Sequence, residues 1–466
     1  MAVFDLIVAG GHVVREDSPE GTPPAQDIAI RGERIVHVAP RIDAPCRRRI
    51  DAAGLLVLPG LIDPHIHLSL PMKGTFSSDD PDSGTRAALF GGVTTVIDFT
   101  LQAPGQSLAE SFAERCAFFA GRAHTDYAFH VNVTSFGPDF EQTLPAAVAE
   151  LAAKGAITYK VFPCYSRDNL AISPIHLRAL LRATRDHAGL VLVHAEDDGI
   201  LNRTLDRLIA SGRTTPRDYP ASRPPEAEAA AIASVIEAAH EVDAPIYIVH
   251  VSTAAGVQAI RQGRRHSKRA VYLETCPQYL FLDHSAYEGD EAAQFMVAPP
   301  LRAPENRAAL LDALASGEVD VVATDHCPFR RDQKSRPGAS FVEIPNGLPG
   351  IETRWPLLYT EAIRSGRFDL RDLVRVAAIG PARIHGLYPR KGSIRPGSDA
   401  DLVLFDPNAR WAIDPAELHM ETDFSPYAGR QVEGRVRTVL LRGHVVIDQG
   451  SMIARGEGRF LPRPAQ

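Results

Sequence analysis

Alternation of apolar and polar positions marks both ends of the chain. DLIVAGGHVV and then DIAIRGERIVHV near the start, with glycine or Gly-Glu at the breaks, predict short antiparallel strands. ADLVLFDP and VRTVLLRGHVVIDQG near the end carry the same period, punctuated by Gly and Pro around KGSIRPGSDA. From about residue 55 to 385 the pattern changes. Eight apolar, β-branched runs, at 55–63, 93–99, 127–133, 156–162, 190–195, 245–251, 270–276 and 319–325, are separated by helix-forming stretches such as LPAAVAELAAKG and EAEAAAIASVIEAAHEV. Strands alternating with helices in this way predict parallel βα units. The expected fold is therefore α/β: a (β/α)₈ TIM-like barrel over 55–385, with a small β-sandwich domain built from both termini, 1–54 and 386–466.

Length changes this picture little, because 466 residues accommodate one barrel and a smaller companion. Hydrophobic residues at 45% and charged residues at 23% are ample for a core and argue against disorder. A net charge of −7 without like-charge blocks offers no basic stripe, so neither nucleic acid nor an anionic membrane surface is an expected partner. The start, MAVFDLIVAGGHVV, lacks a basic n-region, and no apolar run is long enough to span a bilayer. Five scattered cysteines without C-x-x-C spacing fit a reducing compartment, and a cytoplasmic location is expected.

The candidate chemistry lies at the ends of the predicted strands. His65 and His67 follow the first, Lys160 is on the fourth, His194 and His250 fall near the ends of the fifth and sixth, and Asp325 ends the eighth. A single strand histidine is ordinarily a hydrogen-bonded core residue; this many ligand-type side chains at one mouth is what a barrel active site requires. Side chains at i and i+2 of an extended segment point the same way, so His65 and His67 can grip one cation, and imidazole with carboxylate suits zinc. Asp325 can hold metal or shuttle a proton, or simply cap the next helix. Lys160, between apolar neighbours, is costly as a buried ammonium; it can form a Schiff base, bind an anion or be modified. The longest irregular segments, 69–84, 163–173 and 327–350, follow strands one, four and eight, where barrel loops build active sites.

PGLIDPHIH (59–67), YKVFPCY, VHAED, SRPPEAEA, ETCPQYL, TDHCPF, IPNGLPGIE and KGSIRPGSDADLVLFDP together resemble the amidohydrolase superfamily, in particular its cyclic amidohydrolases of the hydantoinase and dihydropyrimidinase type, over nearly the whole chain. The resemblance implies two divalent metal ions, zinc in the first instance, bridged by Lys160 carboxylated on its amine. His65, His67 and Asp325 would hold one ion, and His194 and His250 the other. A hydroxide shared by both would attack a ring carbonyl, with Tyr165 stabilising the developing oxyanion and Asp325 carrying the proton to the departing nitrogen. Main-chain groups near Ala298 and Asn346 would meet the amide edge of the substrate. A homotetramer is also implied.

Where dihydroorotase-like sequences carry an arginine for a substrate carboxylate, this chain has Ser69, which predicts an uncharged ring. Leu68, Leu70, Met72 and Phe76 are candidates for an apolar pocket. Pro163-Cys164 and Ala298 depart from the family's usual residues and bear on the substrate pocket rather than on the metals. The basic run Arg330, Arg331, Lys334 and Arg336 reads as a solvated loop face. The expected activity is hydrolysis of a hydantoin or dihydropyrimidine to an N-carbamoyl amino acid. The alternatives are an allantoinase or other cyclic amidase, or a non-catalytic scaffold of the dihydropyrimidinase-related kind.

Overall fold

A computed structural model describes residues 3–19, 21–335 and 338–463. Eight parallel strands form one sheet in sequence order: β1 (Leu61–Asp63), β2 (Val93–Phe99), β3 (Asp126–Asn132), β4 (Thr158–Val161), β5 (Leu190–Val193), β6 (Ile246–Ile248), β7 (Val271–Thr275) and β8 (Val321–Val322). Every residue of β2 is buried, as are those of β4, β5 and β6. Strands covered on both faces read as continuous apolar runs rather than as alternation, which is why the middle of the chain changes period.

The barrel closes between β8 and β1. Ile66 and His326 bridge in parallel, and the His67 N–H donates to the His326 carbonyl at 2.7 Å. Just below, Asp63 accepts from the Thr324 N–H (3.1 Å) and hydroxyl (2.7 Å), and buried Arg354 donates to the carbonyls of both Ile62 and Val322 at 2.9 Å. Helices start at local signals. Asp80 accepts from the N–H groups of Asp82 and Ser83 ahead of the helix Pro81–Phe90, and Ser107 with Glu110 forms a reciprocal cap on Leu108–Phe119.

The alternating termini assemble into one nine-stranded sheet, in which Leu56–Pro59 joins the two ends by pairing parallel with His12 and Val13 and antiparallel with Leu402–Phe405. The run at 55–63, which reads as one strand, is thus two strands belonging to different sheets. Gly60 is the corner: a Cβ there would collide with Thr94 and Asp401, so only glycine lets the chain turn this close to both. The stretch after the last strand leaves this sheet and runs beside β3, with the Tyr127 N–H donating to the Arg459 carbonyl and the Leu461 N–H to the Tyr127 carbonyl. All five cysteines are free, and among the described residues no helix is long and apolar enough to cross a membrane.

Candidate metal centre

The eight parallel strands end at one mouth, where four imidazoles form a chain. Ring centroids are 5.1 Å apart for His67 and His65, 5.6 Å for His65 and His250, and 4.6 Å for His250 and His194. Asp325 Oδ1 lies 3.2 Å from His65 Nε2 and 3.1 Å from His67 Nε2. Phe99, at the end of β2, forms the floor: it stacks on His67 at 4.7 Å, and the Lys160 Nζ sits 5.3 Å above its ring. Tyr165 places its hydroxyl 3.4 Å from His194 Nε2. Six of the sequence-predicted residues therefore converge with Tyr165 at one place.

Protonation follows from burial. His65 is almost fully enclosed, and desolvation, opposed by Asp325 and aided by Lys160, holds it well below the ordinary histidine value, so the ring is neutral. Its Nδ1 faces Glu274 Oε1 at 2.7 Å, which puts the single ring proton on that side. The Nε2 lone pair is then turned toward Asp325, and this buried nitrogen has no hydrogen-bond partner. Asp325 is no donor either: although burial favours protonation, His65, His67 and Lys160 hold its carboxyl below the usual range. His65 Nε2 is thus a buried acceptor without a donor, 3.2 Å from a carboxylate that His67 also approaches, an arrangement that suits a cation among the three. The donor set fits a divalent ion of zinc character.

Lys160 is buried, and desolvation, against Asp325 and Glu274, draws its amine down to about 8. No hydrogen bond or ion pair holds its Nζ among the described residues; its neighbours are the rings of Phe99 and Phe162. An amine in that position is open to chemistry that removes its charge. Two other buried groupings of ligand-type side chains are already served by cations: Lys391 sits among Asp126, Asp399 and Asp401, and Arg223 pairs with Glu196 beside His194 and Cys164.

Three partners of these residues escaped sequence reasoning. Glu274, in ETCPQYL, accepts from His65, from the His250 N–H (3.1 Å) and from the Tyr247 hydroxyl (2.7 Å), and burial pushes its carboxyl up to about 7. Glu196, two residues after His194, faces that ring's Nε2 at 2.7 Å; burial works to raise it, but Arg223 and His194 hold its carboxyl down at about 2. The Nε2 proton is thereby assigned, leaving His194 Nδ1 with its lone pair free for a cation. Arg223 also lies over the Tyr165 ring at 5.0 Å. A charged residue inside an apolar strand run was the available signal for Glu274, as it was for Lys160.

Ala298 and Asn346 are both half-buried. Neither the N–H nor the C=O of Ala298 is engaged by a described residue, and the Asn346 carbonyl is likewise free, while the Asn346 N–H meets the Met72 sulfur at 3.1 Å. One donor and two acceptors of the main chain are thus unengaged among the described residues.

Two expectations about the loops are corrected. Leu68 does not line a pocket; it is fully buried in the core against Gly84, whereas Leu70 and Met72 are half-buried and Phe76 is 60% exposed. Within the basic run, Arg330 is exposed and Arg331 pairs with Glu291, but Lys334 is buried, because three backbone carbonyls replace its water. Arg336 lies outside the described residues.

Residues 56–446 match the amidohydrolase family. The chain is 39% identical to a D-hydantoinase of Streptomyces coelicolor over 98% of its own length and 94% of the relative's. It is 36% identical to a D-hydantoinase of Ralstonia pickettii, covering 99% of each. Among solved structures, the dihydropyrimidinase of Brevibacillus agri superposes with a TM-score of 0.93 at 37% identity, covering 98% of both chains.

Proposed function

Since this chain belongs to the amidohydrolase family and is a hydrolase of cyclic amides, we propose that it opens the ring of an uncharged hydantoin or dihydropyrimidine to an N-carbamoyl amino acid. The observation that carries this reading is the orphaned buried acceptor His65 Nε2 facing Asp325 Oδ1 and flanked by three more imidazoles.

In this reading His65, His67 and Asp325 would hold one divalent ion, His194 and His250 would hold a second, and Lys160, carboxylated by carbon dioxide, would supply a carboxylate to the pair. When bound, such a pair supplies a Lewis acid for the ring carbonyl and lowers the pKa of water. The protein's own groups do the rest. Glu274 and Glu196 fix the ring orientations of His65 and His194. Main-chain N–H and C=O groups of Ala298 and the Asn346 carbonyl receive the amide edge of the ring. Burial keeps the Tyr165 hydroxyl protonated, so it donates to the carbonyl oxygen as negative charge develops there. Asp325 takes one proton from the attacking water at a carboxylate oxygen and passes it to the ring nitrogen as the C–N bond breaks, which balances the hydrolysis. A homotetramer in the cytoplasm completes the proposal.

The test is ring opening by the purified protein, supplied with zinc and bicarbonate, on dihydrouracil, a 5-substituted hydantoin, allantoin and dihydroorotate, each with a chelator-treated control. Chelator-sensitive turnover of either of the first two, with dihydroorotate untouched, is expected. Turnover of dihydroorotate or allantoin in preference overturns the substrate assignment, and silence on all four overturns the catalytic reading.

A further inference from the structure

Lys334 is the feature of this region that the reaction does not use. It lies on the loop after β8, it is 1% exposed, and it is one of the largest fully buried side chains of the molecule. Burying an ammonium among apolar groups is expensive unless every N–H finds an acceptor. Here each does: Nζ donates to the carbonyls of Gln294 (3.1 Å), Met296 (2.8 Å) and Gly347 (2.6 Å). Three donors meet three acceptors, and the acceptors come from two segments far apart in sequence.

Those segments are the ones that present the free main-chain groups. Met296 precedes Ala298 by two residues, and Gly347 follows Asn346. The Gly347 N–H donates to the same Met296 carbonyl at 2.9 Å, so Lys334 and Gly347 share one acceptor across the seam. In a trans peptide the C=O and N–H of one unit point opposite ways, so tethering the Gly347 N–H aims the Asn346 carbonyl away from Met296. Gly347 itself has a φ of 156° and has no room for a Cβ against Cys327, so the backbone there is tightly constrained. The turn that carries Lys334 is tied to the same place, since the Gln294 amide donates to the Ser335 hydroxyl at 2.7 Å.

We propose that Lys334 is a positioning residue for ring recognition, its ammonium clasping the 294–298 and 346–347 segments so that the main-chain groups of Ala298 and Asn346 stand at the spacing of an amide edge. This rests on the reading that those groups receive the ring. It goes beyond that reading by assigning the spacing to a side chain that touches neither substrate nor metal ligands. Burial, opposed by Cys327, draws the Lys334 ammonium down to about 7, and the three carbonyls accept the N–H groups that burial removes from water.

The experiment compares the parent enzyme with Lys334→Met and with Lys334→Gln, whose amide still donates to two carbonyls. Three quantities are measured: amide exchange at Gly347, bound metal, and kcat and KM for a 5-substituted hydantoin with and without a methyl group on a ring nitrogen. Expected in Lys334→Met are Gly347 exchange at least about tenfold faster, unchanged metal content, and KM for the unmethylated ring up about tenfold with kcat within about threefold, the scale of one lost hydrogen bond. The preference for the unmethylated ring should shrink by a similar factor, with Lys334→Gln between the two. If both variants keep the parent's KM and preference, the role of Lys334 is overturned while the cradle stands. If the parent itself shows no preference, the cradle fails and the proposal with it, whatever the exchange data show. Loss of folding in both variants also overturns the proposal, because the lysine then serves the fold rather than the ring.

Discussion

Three of the residues assigned to the site, Tyr165, His250 and Asp325, have left-handed backbones, with φ of 69°, 41° and 52°. Side chains other than glycine rarely adopt that conformation, and each instance costs of the order of 1–3 kcal/mol unless its surroundings enforce it. Enforcement is visible here: the His250 N–H is held by Glu274, and the turn that follows Tyr165 is tied down by Asp198, which accepts from the Ser166 N–H and hydroxyl. For Tyr165 this makes a prediction at the residue scale. Among the described residues its hydroxyl has a single, long hydrogen-bond partner in His194, so Tyr165→Phe should leave metal content and thermal stability unchanged and lower kcat by about 10²–10³-fold, the usual cost of one oxyanion donor. Steady-state kinetics decide the matter; a loss of less than about fivefold makes Tyr165 an ordinary loop aromatic. The position of Tyr165 was legible only through family resemblance, since nothing in its local sequence distinguishes it from a packing ring.

Most of the strands were legible in the sequence because burial on both faces writes an apolar run that no charged residue interrupts except for a reason. Lys160 and Glu274 are two such interruptions and both lie in the site, while Asp98, inside β2, is there to pair with buried Arg115. What remained hidden is tertiary. Gly60 divides one apolar run between two sheets, and Lys334 reads as a loop cation because the carbonyls that bury it come from positions 294, 296 and 347. Barrel closure is hidden for the same reason. Arg354, on the helix after β8, reaches back to hold the carbonyls of β1 and β8 and lies 3.8 Å from the Asp63 carboxylate. Arg354→Met leaves that carboxylate without its cation and two strand-end carbonyls without a donor, inside the core. A loss of about 3–5 kcal/mol is expected, together with faster exchange of the His67 N–H, which crosses the same seam. Denaturant unfolding and amide exchange measure the two effects. A variant as stable as the parent would mean that the β1–β8 seam is held by the strands alone.

At the scale of the whole molecule, the sheet domain and the barrel share apolar surface, with Phe405 packed against Trp355 and Tyr359, and they also meet through a buried cluster of charges. Lys391, in the KGSIRPGSDA segment, is buried among Asp126 at the start of β3 (2.5 Å) and Asp401 (2.6 Å) and Asp399 (3.0 Å), which lead into the strand Leu402–Ala412. Arg442 pairs with Asp126 from the same sheet, and its N–H donates to Asp401. The cluster is a grouping of carboxylates that invites a metal reading and is instead satisfied by a lysine. Removing that lysine leaves Asp401 without its cation, while Asp126 keeps Arg442 and Asp399 keeps Arg34 and Arg390, so Lys391→Met should destabilise the protein by about 3–5 kcal/mol near neutral pH. The pH dependence has a definite sign. Burial opposes the Lys391 ammonium, but Asp401, Asp126 and Asp399 outweigh it and raise its pKa above the ordinary lysine value. A raised lysine pKa contributes stability that is complete below the unfolded value of about 10.4 and fades as pH climbs through the folded one. The gap between parent and Lys391→Met should therefore stay constant from pH 7 to about 10 and then narrow by about 1.4 kcal/mol per unit. Denaturant unfolding of both proteins over that range measures it. A gap that narrows well below pH 10 would place the titrating group elsewhere, and one that is absent at neutral pH would mean that apolar contacts alone fix the two domains together.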